Sequence, residues 1–339
     1  MTIAQIIQDA WQRQAKWLIL LRPFSWLYHG GFVLNRQLYR VGMKKTFQAP
    51  VPVMVIGNIT VGGSGKTPLL IQLVKYLYSR NIQVGVISRG YGGQGPFPAL
   101  VTLDATPEMV GDEPCLIVQS TEVPMAVGPN RQDAIALLLK QHPQLDLIIS
   151  DDGLQHWAMS RQLEWIVLDQ NRGLGNQKLL PEGYLREPVS RLQTGTVIEH
   201  AARPTSDLHM HLQVAEPYLL NPMYDHAEIF DPTLDYYAVV GIGFPQRFYH
   251  TLDTMGVKQY QCHEFADHYD YEITDLQFED NNPIITTEKD AVKILPLLKK
   301  NPDYCREIWV VPVEAVLSEQ CYDLLDQQLT QLGIPINEG

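Results

Sequence analysis

The chain lacks a long apolar run. A helix that crosses a bilayer needs about 20 consecutive apolar residues. The longest run in the first 49 residues, Trp17 to Leu21, has five, and Arg22 and Pro23 end it. A plain transmembrane helix is excluded there. A secretory signal is excluded on similar grounds, because no small-residue cleavage site follows the short stretch. Cysteine is scarce: Cys115, Cys262, Cys305 and Cys321 are widely spaced, with no C-x-x-C pair. Neither a zinc site nor a disulfide framework is signalled, and single buried thiols in a reducing compartment are expected. Positive charge is in deficit, with a net charge of −12, which argues against a nucleic-acid partner. Internal repeats and low-complexity tracts are also lacking.

What is present is an ordinary globular balance, 45% hydrophobic and 19% charged over 339 residues. That length suits two domains. The charge is uneven. Residues 1–49 hold seven basic side chains against one acid, Asp9, so residues 50–339 carry −18. The basic leader also holds Trp11, Trp17, Phe24, Trp26, Tyr28, Phe32 and Tyr39. Aromatic rings settle at headgroup level and basic side chains are drawn to anionic lipid. The expectation is an amphipathic helical segment over 1–49 that lies on a membrane surface. The rival expectation is a helix packed on the protein's own core.

After Pro50, short apolar runs alternate with helical patterns. Strands are expected at 51–57, 84–90, 145–150, 164–169 and 236–243, and helices at 67–80, 131–142 and from Pro245. Such alternation implies a mostly parallel, doubly wound α/β sheet. Residues 194–235, with Pro204, Pro217, Pro222 and Pro232, read as connecting structure. The stretches 282–295 and 306–317 read as further strand and helix pieces. The expected division is a core domain over 50–230 and a smaller C-terminal α/β domain over 231–339.

The stretch "VIGNITVGGSGKTPLL" (55–70) resembles the phosphate-loop pattern G-x-x-x-x-G-K-[ST]. Thr60 stands where the first glycine belongs. A loop from Thr60 through Val61, Gly62, Gly63, Ser64 and Gly65, opening a helix at Lys66 and Thr67, can cradle phosphate oxygens with its N–H groups. Lys66 would bridge the β- and γ-phosphates of ATP and Thr67 would ligate Mg²⁺. "LDLIISDD" places Asp151 and Asp152 at the C-terminal end of a strand, where open α/β sheets bind ligands. Adjacent carboxylates call for a cation, and an acidic turn is the plainer alternative.

"GNITVGGSGKTP", "SRGYGG", "GDEP", "DDGLQH", "LLPEGYLREP" and "TTEKDAVK" follow one another in this order. Together they resemble the tetraacyldisaccharide 4′-kinase family of lipid A biosynthesis. The resemblance implies transfer of the ATP γ-phosphate, with Mg²⁺, to the 4′-hydroxyl of a tetraacylated glucosamine disaccharide 1-phosphate. It implies action at the cytoplasmic face of a bacterial inner membrane, reached through residues 1–49, with no obligate protein partner. It implies roles for Asp112 as catalytic base, for His268 as its partner, and for Asp151 and Asp152 beside the metal. Arg131 would line the site, and Thr60 matches the family's own variant of the loop. Phe244 departs from the pattern, where a smaller polar residue is expected. Arg89, after a strand, could meet a phosphate or brace a turn. Lys289 could reach the site or simply belong to a capped helix start. Two alternatives stay open at this point: a soluble P-loop ATPase or GTPase, and a membrane-surface nucleotide sensor without turnover.

Overall fold

The structure, a computed structural model, describes residues 3–220 and 229–336. Two helices, α1 (Ile3–Gln12) and α2 (Arg22–Arg40), flank a 3₁₀ turn at Lys16–Leu21. Pro23 lies in the first turn of α2, where its missing N–H costs little. The faces of α2 are inverted. Arg22, Ser25, Tyr28, Phe32 and Arg36, spaced three or four apart, turn toward the protein. Phe24, Trp26, Leu27 and Leu34 face outward, with Trp26 68% and Leu27 72% exposed. A surface helix ordinarily turns its apolar stripe to the core.

The chain then runs through β1 (Val53–Gly57), α3 (Lys66–Ser79), β2 (Val84–Ser88), β3 (Ala99–Val101), α4 (Pro107–Val110), α5 (Asp112–Thr121), β4 (Met125–Val127), α6 (Arg131–Gln141), β5 (Leu147–Asp151) and β6 (Leu163–Asp169). It continues through β7 (Thr196–His200), β8 (His209–Val214), β9 (Tyr218–Leu219), β10 (Asp235–Val240), α7 (Pro245–Met255), β11 (Gln259–Glu264), β12 (Ile284–Thr287), α8 (Glu288–Lys300), β13 (Ile308–Val311), β14 (Val313–Leu317) and α9 (Glu319–Gln331).

The larger sheet has the order β14-β8-β7-β6-β1-β5-β2-β4-β3. Neighbours from β8 to β4 are parallel, and antiparallel β14 and β3 close the edges. Strands β2 to β5 lie on one side of β1 and β6 to β8 on the other, so the winding reverses at β1. The crevice at such a reversal is where open α/β sheets bind ligands. β1, β2 and β5 are buried on both faces, which suits their unbroken apolar runs. Met54 and Ile56 pack with Leu70, Leu73 and Leu77 of α3 on one face. Val53 and Val55 pack with Ile135 and Leu138 of α6 on the other. A second sheet, β11-β10-β12-β13-β9, is parallel except for β9.

Residues 194–235 are more than a connection, for they hold β7, β8 and β9. These strands are short, and β8 mixes buried with exposed positions, so their apolar signal is weak. Pro204 and Pro217 fall between strands, while Pro222 lies outside the described residues. The 306–317 stretch is two strands and no helix. Pro312, which has no N–H to donate, separates β13 in one sheet from β14 in the other. Sheet membership therefore does not follow the division at 230/231. β14 and α9 return to the first sheet, where Cys321, Leu325 and Leu329 join its core. All four cysteines are free; Cys115 and Cys321 are buried, but Cys262 and Cys305 are exposed.

Candidate active site

β1 ends at Gly57 and α3 begins at Lys66, so residues 58–65 form the turn at the winding reversal. Gly62 and Gly65 have φ of 94° and 93°, a region glycine enters without cost. Thr60 has no positive φ. It is buried, and Asn58 Nδ2 donates to its hydroxyl at 3.2 Å. Nothing at that position demands glycine, which explains the departure from the consensus. Asn58 Nδ2 also donates to the Gly62 carbonyl at 3.2 Å, and His200 Nδ1 is hydrogen-bonded to the Ser64 carbonyl at 2.9 Å. The buried Ser64 hydroxyl has no partner; a phosphate oxygen would satisfy it. The Val61 N–H donates to the Tyr184 carbonyl at 2.8 Å, so that donor is not available to phosphate. Lys66 Nζ donates to Asn58 Oδ1 at 3.3 Å and lies 3.6 Å from Asp152.

Register brings the acids to this turn. Ile56 of β1 pairs with Asp151 of β5, and Ser88 of β2 donates to Asp151 Oδ2 at 3.4 Å. Asp151 is buried and its Oδ1 has no partner. Burial, then the charges of Glu113 and Asp152, push its carboxyl well above the usual range. Asp152 sits at φ 46°. Arg186 donates to both its oxygens at 2.8 Å and also reaches Asn58. Burial would raise the Asp152 carboxyl, but Lys66 and Arg186 hold it far below the ordinary value. The two aspartates thus differ: Asp152 is fully engaged by cations, and Asp151 has an unpaired oxygen. The orphaned Asp151 oxygen and the Thr67 hydroxyl in the first turn of α3 are hard-oxygen donors of the kind that suits Mg²⁺, a cation that keeps waters and phosphates as its other ligands.

Asp112 opens α5 after Gly111, whose φ is 97°. A Cβ on Gly111 would lie 2.4 Å from the Tyr91 carbonyl oxygen, so the "GDEP" glycine is required there. His268, in the loop after β11, meets Asp112 across 156 residues: Nδ1 lies 3.0 Å from Oδ1 and 2.9 Å from Oδ2. His268 has φ 60°, an uncommon conformation for a non-glycine residue, and the Tyr91 ring stands edge-on to it at 5.0 Å. Lys289, first turn of α8, lies 3.8 Å from Asp112, 3.3 Å from Glu113 and 3.2 Å from Asp267. Burial would raise the Asp112 carboxyl; the His268 hydrogen bond and the Lys289 charge outweigh it and hold it below 3.8. Burial would lower His268, yet its bond to Asp112 carries it above 6.5. Glu113 is close enough to Asp151 for its charge to raise that carboxyl.

Other expected residues fall differently. Arg131 is buried, donating to the Gly128 carbonyl at 2.8 Å and reaching the Asp151 carbonyl at 3.5 Å. It braces the acid turn through its reach to the Asp151 carbonyl. Arg89 is exposed at the end of β2, with no hydrogen bond or ion pair among the described residues. Phe244 caps α7 and is partly exposed. The sequence reading missed the Arg186 clamp, although "LLPEGYLREP" marked its segment. It also missed Asn58, whose signal was its place two residues before Thr60.

A parallel α/β sheet that presents a lysine–threonine turn at its winding reversal, with strand-end aspartates beside it, defines a P-loop nucleotide phosphotransferase. The family profile described as tetraacyldisaccharide-1-P 4′-kinase matches residues 17–330. A tetraacyldisaccharide 4′-kinase of Psychrobacter cryohalolentis is 49% identical over 99% of both chains. One of Ectopseudomonas mendocina is 41% identical, covering 98% of this chain and 99% of its own. The solved structure of LpxK from Aquifex aeolicus in complex with ATP superposes with a TM-score of 0.73 at 26% identity, over 93% of this chain and 99% of that one. The chain belongs to the tetraacyldisaccharide 4′-kinase family.

Proposed function

We propose that the chain transfers the γ-phosphate of ATP to the 4′-hydroxyl of a tetraacylated glucosamine disaccharide 1-phosphate at a membrane surface. The observation that carries the reading is the Asp112–His268 pair, brought together across 156 residues, with the neighbouring Glu113 near enough to Asp151 for its charge to act on that carboxyl. Phosphoryl transfer asks the protein mainly for positioning and charge neutralisation, with proton removal late. Asp112, ionised at neutral pH, accepts the hydroxyl proton as the phosphoryl group leaves ADP. His268 orients that carboxylate. Lys66 neutralises charge on the transferring group. Thr67 and the unpaired Asp151 oxygen are the residues to hold Mg²⁺, which when bound screens the phosphate charges. Asp152 fixes Lys66 and Arg186. The exposed guanidinium of Arg89, without a partner among the described residues, would receive an acceptor or nucleotide phosphate.

The inverted helix α2 supports a lipid acceptor. Its outward Phe24, Trp26, Leu27 and Leu34 suit burial in the headgroup–acyl boundary. Among the described residues, no helix is long and apolar enough to cross a membrane. The reading is of a monotopic enzyme on the cytoplasmic face, supported by the outward apolar side chains of α2. The two sheets correspond to two lobes, and the base and its histidine come from different ones. ADP formation with and without the acylated disaccharide tests the function. Acceptor-dependent release supports it. Acceptor-independent turnover points to an ATPase, and saturable nucleotide binding without turnover points to a sensor.

A further inference from the structure

The polar stripe of α2 ends on one short segment, residues 178–188. Arg22 Nε and Nη2 donate to the Glu182 carboxylate at 3.1 and 2.8 Å. Ser25 Oγ donates to the Leu179 carbonyl at 3.0 Å and accepts the Glu182 N–H at 2.9 Å. Tyr28 Oη donates to the Arg186 carbonyl at 2.8 Å. From α1, Trp11 Nε1 donates to the Pro181 carbonyl at 3.0 Å. Ser25 and Glu182 are buried, so the bond between them is shielded from water, and the others are partly shielded.

The same segment is tied to the phosphate turn on its other side. The Arg186 N–H donates to the Ile59 carbonyl at 2.7 Å, and the Tyr184 carbonyl accepts the Val61 N–H at 2.8 Å. Arg186 is therefore bound three ways: its carbonyl to α2, its N–H to the turn, its guanidinium to Asp152. Buried bonds of this kind rigidify what they join.

We propose that Tyr28, through its bond to Arg186, and Ser25, through the Leu179–Glu182 turn that leads into Arg186, are positioning residues for phosphoryl transfer. On this account α2 holds the phosphate turn with one face while its other face meets lipid. The inference rests on the kinase reading above and extends it. One helix serves both tasks, so displacing it releases the Arg186 clamp on Asp152, and with it the seat of Lys66.

The test is Tyr28→Phe in the full chain, which removes one hydroxyl and keeps the ring. With the acylated disaccharide in detergent micelles, kcat falls about fivefold, the effect of one hydrogen bond. Partition onto phosphatidylethanolamine–phosphatidylglycerol vesicles is unchanged. Amide hydrogen exchange at Val61 and Arg186 accelerates. In an Arg186→Lys background the same substitution costs less than twofold, because residues acting in series do not add. Ser25→Ala repeats the pattern. Wild-type kcat, an equal loss in both backgrounds, unchanged exchange, or loss of vesicle binding overturns the proposal. Failure of the kinase reading is distinguishable, since the wild type would then show no acceptor-dependent turnover.

Discussion

Replacing Asp112 by asparagine keeps the shape of the side chain and removes its charge. The surroundings tolerate the change. Asparagine can still accept the Glu113 N–H that Asp112 Oδ1 accepts at 2.9 Å, and Lys289 keeps Glu113 and Asp267 as partners. The variant should therefore fold and bind an ATP analogue as the wild type does. Loss of a positioned general base lowers kcat about 10²- to 10⁴-fold, or about 3–5 kcal/mol. On the proposed mechanism His268 acts only through this carboxylate, which it contacts. His268→Gln removes a charge-assisted bond of about 1.5–3 kcal/mol and should lower kcat about 10- to 100-fold. The double variant should be no slower than Asp112→Asn alone. The assay is acceptor-dependent ADP release at saturating ATP. Wild-type turnover in Asp112→Asn, or losses that multiply in the double variant, would refute the reasoning.

Four further expectations follow from the geometry. Lys66→Ala should reduce kcat by at least about 10²-fold, since it removes fixed charge from the transferring group; turnover within a few-fold of wild type would count against its role. Gly111→Ala should cost about 1–3 kcal/mol of stability, measured by denaturant unfolding, and should displace Asp112, because the new Cβ meets the Tyr91 carbonyl. His268 is raised above 6.5, so its stabilising contribution is complete below that pH and is lost as pH rises through the raised value. Asp112 is depressed below 3.8, so its contribution holds above that value and is lost only on strong acidification. The excess of wild-type Tm over His268→Gln should accordingly shrink as pH is raised past 6.5, and parallel curves would contradict the pairing. Finally, Trp26→Ser with Leu27→Ser should reduce binding to anionic vesicles without changing the fold seen by circular dichroism; undiminished binding would argue against the lipid face.

The sequence made the middle of the large sheet legible because β1, β2 and β5 are buried on both faces and carry unbroken apolar runs. The phosphate turn was legible because Gly65, Lys66 and Thr67 have little freedom to vary in kind. β7 and β8 were not, because short half-exposed strands lack a strong period. The return of β14 and α9 to the first sheet is a long-range pairing that no local pattern encodes. Asp112 and His268 were identifiable through family resemblance, since 156 residues separate them. Arg131 was named through the resemblance, without its contacts. Only the fold shows that its guanidinium turns inward to backbone carbonyls. The inverted faces of α2 were half legible: composition showed the aromatics, while only the fold shows which side they take.

The central claim is that Asp112 reaches the sugar hydroxyl while a P-loop grips the triphosphate. A structure of the full chain with a non-hydrolysable ATP analogue, Mg²⁺ and the acylated disaccharide tests it most directly. The account predicts an Asp112 oxygen about 2.6–3.2 Å from the 4′-oxygen, with His268 still hydrogen-bonded to the carboxylate. A complex in which the 4′-hydroxyl lies beyond reach of Asp112, with another group taking its proton, would contradict it.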